Sequence, residues 1–237
     1  MPESTVNPLR GWKHRVGNAG IRRHFLVIPS VICAAQAAMT MAEDIPGAVA
    51  IEHQHGCAQL GGDAQLTEQV LTGLGTHSNV AGTLVVSLGC ETVQGTGLHR
   101  AIVARGQRAE FVGIQQAGGT RAAIRAGREA LARLRTAAES DPQVTLGWAD
   151  LCVGIEAGWL GLMPAHAQVF SRVIDYLLRA EATIIQAIPA SSADDARRRA
   201  VMLLILFTLR GEIASLSGRI PWARAGPSFR CRLPPTD

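Results

Sequence analysis

Three short stretches of the 237-residue chain gather side chains that can move protons, bind metal or hold an anion. The first is Glu52-His53-Gln54-His55-Gly56-Cys57, the second Gly89-Cys90-Glu91, and the third Gln115-Gln116-Ala117-Gly118-Gly119-Thr120. Imidazoles and carboxylates exchange protons, thiols bind soft metals, and a glycine turn that opens a helix can cradle a carboxylate on backbone N–H groups. Cys57 and Cys90 each follow a glycine, where backbone comes close to something, and spacing alone supports a ligand role and simple burial equally. Cys33 and Cys152 read as small core residues. Gly118-Gly119-Thr120 serves equally as an anion cradle or as a plain turn.

Each stretch follows an apolar run of β type. Residues 25–28, 48–51, 84–88 and 111–114 are near-continuously apolar, as strands covered on both faces are. Between them, residues 31–43, 64–76 and 120–138 have helical composition and length. In the last, Ile124, Leu131 and Leu134 share one face and arginines take the other. This order predicts an α/β fold over residues 24–139, a parallel sheet with helices on both faces and right-handed crossovers. In such a sheet ligands bind outside the carboxyl ends of the strands, where all three stretches fall. Ser140-Asp141-Pro142 marks a break. Strands at 151–155 and 183–188 and helices at 165–179 and 194–209 predict a second, smaller βαβα unit over 140–211. Residues 1–23 read as an irregular lead-in and 212–237 as an irregular tail.

Composition removes several other chemistries. Lys13 is the only lysine, and it stands in Trp12-Lys13-His14, so there is no phosphate-binding GK[ST] loop. There is no CxxC, HExxH or GxSxG, and Gly95-Thr96-Gly97 meets Arg100 where a dinucleotide fingerprint needs a third glycine. Cysteines 33, 57, 90, 152 and 231 are odd in number and widely spaced, which argues against a disulfide framework. The formal charge of +4 comes from scattered arginines with aromatics at only 4%, a poor match to a nucleic-acid surface. The most apolar run, residues 200–209, is about half of the ~20 residues a membrane span requires, and the first residues do not form a signal peptide. The expectation is a cytoplasmic protein without a nucleic-acid or membrane partner.

At the chemistry-bearing residues the chain resembles the altronate and galactarate dehydratase family, over about Gly20 to Leu134. His53 and Cys57 match the family's His-x-x-Gly-Cys, Cys90 and Glu91 its Gly-Cys-Glu, and Gly118, Gly119, Thr120 and Arg121 its Gly-Gly-Thr-Arg. Gly20, Arg22 and Cys33 match its first Gly-Thr-Arg-Asn and Asn-Cys segments. The resemblance implies a lyase that abstracts the proton α to a carboxylate and expels the β-hydroxyl of a sugar acid, altronate or galactarate. It implies catalytic roles for His53 and Glu91, and substrate binding by Gly118, Gly119, Thr120, Arg121 and Arg22. It also implies iron, as Fe2+ or an iron-sulfur centre, on Cys57 and Cys90, with Cys152 in place of a third family cysteine. The implied partners are a hydroxy-acid substrate, a separate small amino-terminal-domain subunit and further copies of the chain. Residues 157–164 stand where the family has Cys-Gly-Gly-Ser-Asp leading to Asn-Pro. A non-catalytic member, a small-anion or metal-binding module, and a large subunit of sulfolactate sulfo-lyase type therefore remain as alternative functions.

Overall fold

A computed structural model describes residues 9–14, 19–155 and 164–186, which fall in two units, Met1–Thr145 and Leu146–Asp237. The segment 157–164 except its last residue, the end of the 183–188 strand, the 194–209 helix and the tail lie outside the described residues.

The first unit is entered through a two-residue strand, β1 (Arg10–Gly11), inside the stretch read as irregular. It pairs antiparallel with β6 (Val144–Thr145), and Trp12 bridges to Gly20. Strands this short leave no periodic trace in sequence. The main sheet contains β2 (His24–Pro29), β3 (Ala48–Ala50), β4 (Val80–Ser87) and β5 (Ala109–Gly113), all parallel in the order β3-β2-β4-β5. Strand alternation divides its apolar side chains between two cores. Phe25, Val27, Leu84 and Val86 face α1 (Ala35–Ala42) and α4 (Thr120–Glu139), while Leu26, Ile28 and Val85 face α2 (Gly61–Gly75) and α3 (Gly95–Ala104). The fold is therefore α/β, a parallel sheet covered on both faces.

Sequence reading missed α3, because Gly95 and Gly97 in its first turn lower helix propensity. Packing requires the first of them. A β-carbon at Gly95 would lie 2.6 Å from Ser87 Cβ and 3.1 Å from the Phe111 ring, and Leu98 and Ile102, one turn apart and fully buried, anchor the helix.

The break at 140–142 proves to be a clamp. Asp141 takes a two-pronged hydrogen bond from Arg108, which precedes β5, and a 2.7 Å bond from Arg23, which precedes β2. The hydrogen bond from Arg108 holds the Asp141 carboxyl below its ordinary value against the opposing effect of burial, with Arg23 adding to the downward pull. A carboxyl lowered in the folded state contributes stability above its unfolded pKa and loses it as pH falls through the folded value. Asp141→Asn should cost on the order of 1–2 kcal/mol at pH 7 and progressively less below about pH 4. Thermal melts at pH 7 and pH 3 check this, and an equal penalty at both would contradict it.

In the second unit, β7 (Cys152–Ile155) and β8 (Thr183–Gln186) pair in parallel and are joined by α5 (Pro164–Arg179). Trp148 and Tyr176 meet edge to face at 6.1 Å. No helix among the described residues is long and apolar enough to cross a membrane.

Candidate active site

The connection from β2 leads through α1 to β3 on one side, and that from β4 leads through α3 to β5 on the other. Such a divergence opens a crevice beyond the carboxyl ends of the two strands. Ser30 follows β2 and Glu91 follows β4, and the two meet there, fully and nearly fully buried. The Ser30 hydroxyl donates to Glu91 Oε1 at 2.9 Å, and the Gly89 N–H donates to Oε2 at 2.6 Å. Burial alone would raise the Glu91 carboxyl. Backbone N–H bonds from Gly89, Glu91 and Gly95, together with the Ser30 hydroxyl, outweigh that and hold it below its ordinary value. Gly95 begins α3, so the charge also sits at the positive end of a helix. Glu91 is thus an ionised anchor whose oxygens are engaged by the protein.

The loop after β3 locks onto the same point. Gly56 is buried at φ +92, and a β-carbon there would lie 2.8 Å from Val31 Cα and closer still to the Ser30 carbonyl oxygen. Its own carbonyl accepts from the Thr92 N–H at 2.9 Å, and the His55 carbonyl accepts from the Ile32 N–H at 3.0 Å. Its N–H donates to Gln59 Oε1 at 2.9 Å, and Gln59 in turn donates to Thr67 of α2 at 3.0 Å. Three loops are therefore stitched together by backbone. They carry Cys33, Cys57 and Cys90, all exposed. For Cys33 this reverses the expectation of burial; its neighbour Ala34, which faces the core, takes that place.

His53 is oriented by its ring bonds. Nε2 lies 2.7 Å from the Pro29 carbonyl, which can only accept, so Nε2 donates and Nδ1 is left as the acceptor, met by the His55 N–H at 3.2 Å. The imidazole is thus held at both nitrogens, and its ring stacks on that of His55 with centroids 6.2 Å apart.

Gly118 and Gly119, at φ +85 and +113, turn the chain from β5 into α4, and a β-carbon on either would meet nothing within 4 Å. The helix has no side-chain cap and no acidic residue in its first turn. Its first N–H groups lack intrahelical acceptors, and exposed Thr120 and Arg121 stand beside them. A β-carbon on Gly89 would lie 2.9 Å from Gln115 Cδ, so this loop packs against the Glu91 loop.

His53, Cys57, Cys90, Glu91 and Gly118 to Arg121 thus share the carboxyl edge of one sheet. Arg22 does not. It precedes β2, its N–H donates to Asn79 Oδ1 at 3.0 Å, and it lies at the amino edge, about 20 Å away along a six-residue strand. Cys152 belongs to β7 of the second unit. Among the described residues, no three His, Cys, Asp or Glu side chains group closely enough to hold a metal ion. The thiols as placed therefore do not fit a preassembled iron centre. Sequence reading missed Ser30, whose only signal was its place immediately beyond strand β2.

A family profile described as "D-galactarate dehydratase/Altronate hydrolase, second domain" matches residues 11–139. Altronate dehydratase of Bacillus subtilis (strain 168) is 28% identical over 203 residues, covering 79% of this chain and 40% of the relative. Altronate dehydratase of Escherichia coli (strain K12) is 27% identical over 187 residues, covering 73% and 37%. (2R)-sulfolactate sulfo-lyase subunit beta of Chromohalobacter salexigens is 35% identical over 78 residues, covering 33% and 20%. The matches span at most 40% of the length of these relatives. No solved structure matches the chain significantly.

Proposed function

Because the chain belongs to the D-galactarate dehydratase/altronate hydrolase family, we propose that its first unit binds a sugar acid at the carboxyl edge of the sheet and removes water from it. The observation that carries this reading is the gathering, on that edge, of an oriented imidazole and an open helix N-terminus with an arginine in its first turn. The N–H groups opening α4 and the Arg121 fork hold the substrate carboxylate, which lowers the cost of charge building up beside it. His53 Nδ1, released from the bond that the His55 N–H donates to it, takes the α-proton and returns it to the β-hydroxyl, which leaves as water, and the resulting enol tautomerises to a 2-oxo acid. Glu91 stays ionised and holds the loops. No step is routed through iron, since the described side chains do not preassemble a site for it.

That the sulfo-lyase relative is a subunit beta supports a separate partner chain, and the family resemblance supports a small one. A second reading, a binding module without turnover, rests on residues 157–164, which do not carry the Cys-Gly-Gly-Ser-Asp and Asn-Pro of the family. His53→Gln is expected to lower kcat by ~10²–10⁴ with little change in KM. Arg121→Gln is expected to raise KM for altronate or galactarate at least about tenfold. Anaerobic assays of 2-oxo acid release, with and without added iron(II), check both. Wild-type values for both variants would remove the site, and sugar-acid binding by titration without any turnover would favour the binding module.

A further inference from the structure

We propose that the amino edge of the same sheet carries a second pocket, separate from the sugar-acid site, for a compact tetrahedral dianion of the phosphate type. A cavity of ≈ 140 Å³ opens there, lined by Lys13, His14, Arg22, Arg23, Arg108 and Asp141 among others. The three arginines among them thus face a single carboxylate. That carboxylate is already committed, since Asp141 is held by both Arg23 and Arg108.

Arg23 is fixed further by the Ala138 carbonyl at 2.6 Å and by the Trp12 ring, 5.0 Å beneath its guanidinium. These groups form a rigid positive wall. Arg22 is the open member. Asn79 Oδ1 accepts from the Ile21 and Arg22 N–H groups at 2.9 and 3.0 Å, which pins the turn, and among the described residues the Arg22 guanidinium makes no hydrogen bond or ion pair.

A concave surface with surplus fixed positive charge attracts anions, and a guanidinium fork matches a tetrahedral oxyanion. The cavity has room for a compact oxyanion and is open to solvent on one side, so the rest of a small ester can extend outward. Free phosphate and the head of a small phosphate ester share this chemistry.

The test is calorimetric titration of the full chain with inorganic phosphate, glucose 6-phosphate and malonate, together with thermal melts. The expected result is saturable binding of inorganic phosphate and a raised melting midpoint. Arg22→Glu should lose at least tenfold in phosphate affinity and Arg22→Gln a smaller amount, while both melt as the wild type does in the absence of phosphate. Arg121→Glu should keep phosphate binding, which separates this pocket from the sugar-acid site whatever becomes of the latter. Tighter binding of glucose 6-phosphate than of phosphate would assign the pocket to an ester, and the reverse to the free ion. No binding to the wild type, binding undiminished in Arg22→Glu, stronger binding of malonate, or loss in Arg121→Glu instead would each overturn the proposal.

Discussion

Gly56→Ala is expected to destabilise the protein by about 3–4 kcal/mol and to abolish activity. The backbone at φ +92 costs an L-residue on the order of 1–3 kcal/mol, and the new methyl would press against the Ser30 carbonyl and Val31 Cα from a distance no real contact shows. Backbone cannot move aside as a flexible side chain could, so the β3 loop must lift away from the β2 loop. Lifting it would break the Ile32 N–H bond to the His55 carbonyl and the Thr92 N–H bond to Gly56, displacing Cys57 and His53 together. Denaturant unfolding measures the first effect. A variant of native stability would mean that these loops do not approach as described.

Glu91→Ala is expected to cost a similar amount, about 3–5 kcal/mol, and Glu91→Gln only about 1–2 kcal/mol. Alanine would leave the Ser30 hydroxyl and the Gly89 and Gly95 N–H groups buried without their acceptor. Glutamine can keep its oxygen on the N–H groups and offer its NH2 to Ser30, whose hydroxyl then turns to donate to the Val86 carbonyl, 3.4 Å away. Stability and kcat measured on both variants separate anchoring from proton transfer. An anchor predicts that activity follows stability, with Glu91→Gln largely active. A fully stable but inactive Glu91→Gln would make this carboxylate the base instead.

The same two residues show what sequence could tell and what it could not. The glycine before Cys57 and the acid after Cys90 stood out because of their neighbours, but nothing in the chain near position 91 reveals that Ser30, 61 residues earlier, supplies its partner. That pairing exists only once β2 and β4 lie side by side. The central strands β2 and β4 were legible because burial on both faces leaves them almost wholly apolar, and α4 because its arginines mark the solvent side. Helix α3 was hidden by the glycine that its close packing on Ser87 and Phe111 demands. The placement of Arg22 was implicit in the order of residues. In a parallel sheet a residue before a strand and residues after it stand at opposite edges, whatever motif they match.

The claim on which the rest stands is that the carboxyl edge, and Arg121 in particular, receives the acid group of the substrate. It is tested most directly by titrating altronate and galactarate into the wild type, Arg121→Gln and Arg100→Gln, the last an exposed α3 arginine that bonds its own helix at the Thr96 carbonyl. The account predicts binding by the wild type, at least a tenfold loss in Arg121→Gln and none in Arg100→Gln. Equal affinity in all three, or no affinity for either acid in the wild type, would contradict it.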